Sequence, residues 1–199
     1  MTINFKEIPQ TNTGDGDQDT FEIFARDFLE ALGYEIEEGP GRGPDDGKDL
    51  VVLEPLSGIL SKAQKRWLVS CKHFAHSGDS VGSNDESNII DRVEQFNCDG
   101  FMVFYSTLPS ASLIRRFTSL KDKISIEVLD GGKIRGLLRD DKKLKSIAHR
   151  YFPQSYKDNR KREAELKFEQ TKTQLEHDLK IKREKAIRKR DALAMKWAE

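Results

Sequence analysis

FEIFARDFLEALGYEIEEGPGRGPDDGKDLVVLE, residues 21–54, carries the change of period that decides the fold. Phe21, Phe24, Ala25, Phe28, Leu29 and Leu32 recur at spacings of three and four, which predicts a helix from Asp19, and Gly33 is placed to end it. Tyr34, Ile36 and Glu38 then alternate as a short strand. The nine residues GPGRGPDDG hold four glycines and two prolines and therefore read as a loop. DLVVLE, residues 49–54, is a strand signal closed by PLSG, and RWLVSCK, residues 66–72, is the next strand, rich in β-formers.

Outward from that stretch the same two periods continue. The polar run AHSGDSVGSNDES reads as a mobile loop. Residues 88–96 follow as a helix with Ile89, Ile90, Val93 and Phe96 on one side. GFMVFYS, residues 100–106, is a continuous apolar run of the kind buried on both sheet faces. Residues 110–120 form a helix with Leu113, Ile114, Phe117 and Leu120 inward. ISIEVLD, residues 124–130, is a further strand closed by Gly131-Gly132, and two short helical pieces lead to Pro153. The order α-β-β-β-α-β-α-β predicts a three-layer α/β fold with a mixed sheet. The expected divisions are a polar lead-in over residues 1–18, a domain over 19–153 and a charged helical extension over 154–199.

After Pro153 neither Gly nor Pro occurs. The extension carries acidic-before-basic pairs four apart (Glu163/Lys167, Glu176/Lys180, Asp178/Lys182, Glu184/Arg188), which predicts one long solvated helix. Its apolar seam of Phe168, Leu175, Leu179, Ala186 and Leu193 fits heptad spacing but is interrupted by Lys172, Lys182 and Lys189. The chain has 34 basic and 34 acidic side chains, so overall charge names no partner. Residues 157–199 nevertheless hold 14 basic against 9 acidic groups. KIKREKAIRKR, within them, could attract phosphates nonspecifically, with no aromatic interleaving beyond Trp197 to read sequence. No run reaches the roughly 18 apolar residues of a membrane span. The first residues lack a signal-peptide pattern. Two cysteines, Cys71 and Cys98, exclude a disulfide framework and predict a reducing, cytoplasmic setting.

Chemistry is expected where the loop meets the two strands. Asp49 opens a strand just after the glycine-rich loop. Ser70 and Lys72, two apart, project from one face of the next strand, with Val69 and Cys71 on the other. A carboxylate beside an ammonium can hold a hard divalent cation and offset charge on a phosphoryl group. Glu22 reaches the same place if its helix crosses the sheet. It also fits a capping box with Asp19, and the residues alone leave both roles open. Asp45 and Asp46 read as turn residues. Cys71, His73, His76 and Cys98 lack a structural-zinc spacing, and Cys71 reads as a buried apolar residue.

These residues resemble the Mrr-type branch of the PD-(D/E)xK restriction-endonuclease-like superfamily over about residues 18–130. The resemblance implies a restriction-endonuclease-like fold acting as a Mg²⁺- or Mn²⁺-dependent endonuclease, on DNA, in restriction or anti-phage defence. By position it assigns Glu22 to the helical glutamate, Asp49 to the metal-binding aspartate and Lys72 to the catalytic lysine. Ser70 stands where that family carries Gln or Glu. The backbone carbonyl of Cys71 would join Asp49 and Glu22 around the cation. Lys48, His73, His76 and Arg92 are candidates for contact with nucleic acid, and the helical extension for a homo-oligomer or a partner protein. The competing expectation, motivated by Ser70, is an inactive nuclease-fold module that binds nucleic acid or protein.

Overall fold

The computed structural model describes residues 2–10, 19–41, 48–57 and 62–196. The lead-in beyond residue 10, most of the glycine-rich loop with Asp45 and Asp46, and Trp197 lie outside the described residues. Five strands form one sheet in sequence order: β1 (Glu35–Glu38), β2 (Leu50–Ser57), β3 (Lys62–Lys72), β4 (Gly100–Tyr105) and β5 (Ser125–Leu129). β1, β2 and β3 pair antiparallel, whereas β3, β4 and β5 pair parallel. The sheet is therefore mixed, as expected from hairpin-length connections early in the chain and helical crossovers later.

β2 continues beyond the expected stop through Pro55. Pro55 faces Gln64 of β3, while the β1 pairing ends at Leu53, so the missing N–H costs no ladder bond on that open side. All six residues of β4 are buried, because helices cover both faces.

On one face lie α1 (Thr20–Leu32), α4 (Gly131–Asp140) and α5 (Lys145–Tyr151). Phe21, Phe24, Phe28 and Leu29 of α1 pack there with Leu50, Val52, Val69, Cys71, Met102 and Phe104. On the other face α2 (Ile89–Gln95) and α3 (Ala111–Leu120) bring Ile89, Val93, Leu113 and Phe117 onto Val51, Leu68, Phe101, Val103 and Tyr105. α1 starts at Asp19, whose side chain accepts from the Phe21 N–H at 2.7 Å, and stops at Gly33, whose φ of 106° is open to glycine without strain. α3 turns Ile114 outward, half exposed, unlike the inward position expected for it. A ten-residue helix buries one narrow stripe, and Leu113 and Phe117 already fill it.

Packing adds to two other readings. Residues 2–10 of the polar lead-in are anchored, since Ile3, Phe5 and Ile8 are buried in the first core. Glu7 accepts from the N–H groups of Gln154 and Ser155, capping the start of the last helix, α6 (Pro153–Lys196). Gly131-Gly132 follows the end of β5 at Leu129 and also opens α4, with Asp130 as N-cap. A Cβ at Gly131 would lie 2.4 Å from the Ser106 carbonyl oxygen, so close approach selects the glycine.

The chain separates into two compact units, Met1–Tyr156 and Lys157–Glu199. The second is helical throughout its described length and mostly exposed, with Leu166, Phe168, Leu175 and Leu179 facing solvent. Within it Lys172 pairs with Glu169 at 3.8 Å, and Nδ1 of His177 lies 3.8 Å from Asp178. Asp178 also accepts from Gln174 at 3.0 Å. No described helix is long and apolar enough to cross a membrane.

Candidate active site

β2 begins and β3 ends at the same end of the sheet, which brings Asp49, Cys71 and Lys72 together. Their cleft, about 520 Å³, is also lined by Glu22 and Asp19 from the start of α1, by His73, Phe74, Ser77 and Asp79 just after β3, and by Gln10. Asp49 is fixed by backbone: its N–H donates to the Val69 carbonyl at 3.3 Å, and one carboxylate oxygen accepts from the Cys71 N–H at 2.5 Å. A residue of an extended strand points its N–H and C=O to the same side. The Cys71 carbonyl thus faces the same way as that N–H, past the end of β2. Glu22 is half-buried on the first turn of α1, and Asp19 caps that turn. Lys72 is half-buried too, and its own carbonyl accepts from the Ser106 N–H at 3.0 Å.

Ser70 takes a different place. The ladder ends at the Leu50–Val69 pair, and the Asp49 N–H turns to the Val69 carbonyl, so the Ser70 side chain is not paired with Asp49. Ser70 is fully buried and is absent from the cleft lining. Its hydroxyl donates to Oε1 of Glu86 at 2.7 Å, and the Tyr105 hydroxyl donates to the same oxygen at 2.8 Å. Arg92 binds Oε2 at 2.9 Å. Glu86 has no exposed surface, and its backbone carbonyl accepts from Arg116 at 2.7 Å. Burial, and then the adjoining carboxylate, push the Tyr105 phenol far above its usual range, so it stays a donor.

Sequence reasoning missed Glu86 because it sits in the polar run read as a mobile loop. That run is held in place: Val81 is buried, donates to the Leu108 carbonyl at 3.0 Å and accepts from Ser110 at 2.8 Å. The available signal was Ser70 itself. A hydroxyl projecting from an otherwise apolar strand must find an acceptor.

The four candidates for nucleic-acid contact have local partners. Nε2 of both His73 and His76 meets the Ile8 carbonyl, at 3.0 and 2.8 Å. His73 also stacks on Phe21 at 4.6 Å, and burial is the chief reason its pKa lies below the ordinary histidine value. Lys48 pairs with Glu38 and lies over the Phe96 ring. Arg92, 11% exposed, is committed to Glu86 and lies over Phe101. Of the four, His73 lines the cleft.

The Cys71 thiol is buried in the first core, and desolvation pushes it well up, as it pushes Cys98 up to about 11. Neither is a ready metal ligand. Among the described residues no group of three or more His, Cys, Asp or Glu side chains gathers as a metal cluster. The donors around the cleft are instead the Asp49 and Glu22 carboxylates and the Cys71 carbonyl. An all-oxygen set with few protein ligands fits a small hard cation that keeps several waters, such as Mg²⁺.

A mixed α/β sheet flanked by helices, with two carboxylates and a lysine converging at one strand end, defines the class of protein. The chain belongs to the Mrr_cat restriction endonuclease family, whose model matches residues 15–138. Two solved structures are similar at low identity. The DNA modification-dependent restriction endonuclease AspBHI has 16% identity and a TM-score of 0.49, over 60% of this chain and 30% of that one. The MspJI restriction endonuclease in complex with a 27-mer oligonucleotide has 13% identity and a TM-score of 0.47, over 64% of this chain and 30% of that one. This chain thus spans about a third of either structure's length. No curated protein sequence matches it.

Proposed function

We propose that residues 19–153 are a Mg²⁺- or Mn²⁺-dependent endonuclease domain that hydrolyses phosphodiester bonds in DNA, in restriction or anti-phage defence. The observation that carries this reading is the meeting of Asp49, Lys72 and Glu22 in one cleft in a chain of a restriction endonuclease family. Asp49, Glu22 and the Cys71 carbonyl would hold the cation. When bound, it would supply positive charge to a phosphoryl oxygen and lower the pKa of water. Lys72 orients the attacking water and offsets negative charge as it develops on the phosphoryl group. Asp49 arrives preorganised, since the Cys71 N–H holds one of its oxygens. Few side chains are needed, because positioning and electrostatics dominate phosphoryl transfer. Recognition of a DNA site would come from the nuclease domain itself, from a partner or from oligomerisation, for the last two of which the exposed apolar side chains of the C-terminal helix are the candidate surface.

The test is incubation of the full chain with plasmid, linear and single-stranded DNA and with RNA, in Mg²⁺ or Mn²⁺. Lys72→Ala and Asp49→Ala are run in parallel, with folding checked by thermal melting. Metal-dependent cleavage of DNA lost in both variants is expected. Cleavage that survives Lys72→Ala would move the chemistry elsewhere. A silent wild type that still retains DNA would support an inactive binding module, the reading that Ser70 favours.

A further inference from the structure

Every side chain of α6 from residue 160 to residue 187 is exposed, including Leu175 at 60% and Leu179 at 46%. Leu175, Leu179, Lys182 and Ala186 follow one another at steps of four, three and four, the spacing of a coiled-coil seam. Ile181 and Ile187 lie off that seam. The positions that flank it are sorted by sign along the helix. Glu169, Glu176 and Asp178 flank the first half, whereas Arg183 and Lys185 flank the second. Flanking charges set which helix pairs with which, and in what direction. A helix whose flanks run from acidic to basic is complementary to a copy of itself turned end for end.

We propose that α6 pairs antiparallel with the α6 of a second copy of this chain, about a two-fold axis between Lys180 and Ile181. This register sets Leu175 against Ala186 of the other copy. Leu179 meets Lys182, whose stem lies along the leucine while its ammonium stays in water. Glu176 faces Arg183 and Asp178 faces Lys185, and symmetry makes each of these pairs occur twice. Parallel pairing is opposed by the same seam, because Lys172, Lys182 and Lys189 would each face their own copy. The antiparallel register keeps only the contact of Lys172 with Lys189. The second copy is thus the occupant of the helical surface named above, and the pairing does not depend on cleavage.

The mass of the full chain is followed by sedimentation equilibrium over a concentration series, and a rise from one chain to two is expected. Glu176→Lys with Asp178→Lys turns four attractive pairs into four repulsive ones and should weaken dimerisation roughly tenfold or more. Arg183→Glu with Lys185→Glu should do the same. All four substitutions together restore opposite signs across the axis and should recover the dimer. Loss of helix in a double variant would not be repaired by that exchange, so recovery separates pairing from local helix stability. Direction is read by disulfide formation between Leu175→Cys and Ala186→Cys chains. Both are made in a Cys98→Ser background, since Cys71 is buried. A link that forms in the mixture, and not within either chain alone, is expected. A monomer at every concentration overturns the proposal, as does a fourfold variant no tighter than the doubles or a Leu175→Cys link to its own copy. A monomer whose Arg183→Glu, Lys185→Glu variant loses DNA overturns it in favour of a nucleic-acid contact. A dimer that never cleaves DNA keeps this inference and counts against the nuclease reading, and metal-dependent cleavage by a strict monomer does the reverse.

Discussion

Asp27 offers the sharpest test of how the cleft wall is built. It is a buried carboxylate on α1, the helix that carries Glu22, and it gathers three partners. Arg26 donates at 2.7 Å, Arg150 at 2.7 Å and the Tyr151 hydroxyl at 2.6 Å, the last two tying α5 to α1. Burial alone would raise its pKa, but the bonds from Tyr151 and Arg26, with the charge of Arg150, outweigh it and hold the carboxyl below its usual value. The Arg26 and Arg150 side chains are 35% and 66% exposed, so solvent screens both and each contributes only about 0.5 kcal/mol. The shielded tyrosine bond to a charged acceptor adds about 1.5 kcal/mol. Asp27→Asn, which keeps the shape, should therefore cost up to about 2.5 kcal/mol in all, a fall of roughly 5–10 °C in Tm for a unit of this size.

The pH dependence follows from the direction of the shift. A folded pKa below the unfolded one gives stability that is complete above the unfolded value, about 3.9, and is lost as pH falls through the folded one. Melting of wild type and Asp27→Asn from pH 7 to pH 2.5 should show a constant gap down to about pH 4.5 that then closes. A variant within 1 °C of wild type at pH 7, or a gap that widens in acid, would refute the reasoning.

Three further outcomes are expected. Burial lowers the His73 pKa although the bond to the Ile8 carbonyl opposes the shift, so acid penalises the ring's buried place beside residues 3–8 once pH drops below the unfolded value of about 6.5; hydrogen exchange in residues 3–8, corrected for intrinsic rate, should quicken between pH 7.5 and 5.5, and unchanged protection would count against it. Gly131→Ala should cost about 1–3 kcal/mol in denaturant titration, because its methyl meets the Ser106 carbonyl, whereas Ile114→Ser on the exposed side of α3 should stay within about 0.5 kcal/mol. Chelation of divalent ions should abolish DNA cleavage and leave the fold in place, read by circular dichroism, since the cores are closed without a metal.

Much of this molecule was legible in local pattern. The three-and-four spacing of Phe21 to Leu29, the glycine cap and the all-apolar β4 each dictated one element, and the order of elements dictated a mixed sheet. Asp49 and Lys72 were legible because strand geometry alone brings a strand start beside its neighbour's end. What escaped reading depends on contacts far apart in sequence. Ile3, Phe5 and Ile8 are too few to show a period, and only their partners in α1 and α4 to α6 explain their burial. Glu86 lies among Gly, Ser and Asp residues that favour loops, and the requirement that pins it down sits sixteen residues earlier, at Ser70. Arg92 read as a candidate for contact with nucleic acid, because the buried carboxylate it pairs with, Glu86, lies in the run read as a loop. That Gly131 is also required by the close approach of Ser106 escaped reading, because that approach leaves no trace in local sequence.

The claim on which the functional account stands is that Asp49 and Glu22, beside Lys72, form a pocket for a divalent cation. Diffraction at the manganese absorption edge from crystals soaked in Mn²⁺ tests it without any assumption about substrate. An anomalous peak about 2.0–2.2 Å from an Asp49 carboxylate oxygen, in the cleft with Glu22 and the Cys71 carbonyl, is the predicted result. A well-ordered cleft with no peak at saturating Mn²⁺, or a peak elsewhere on the chain alone, would contradict it.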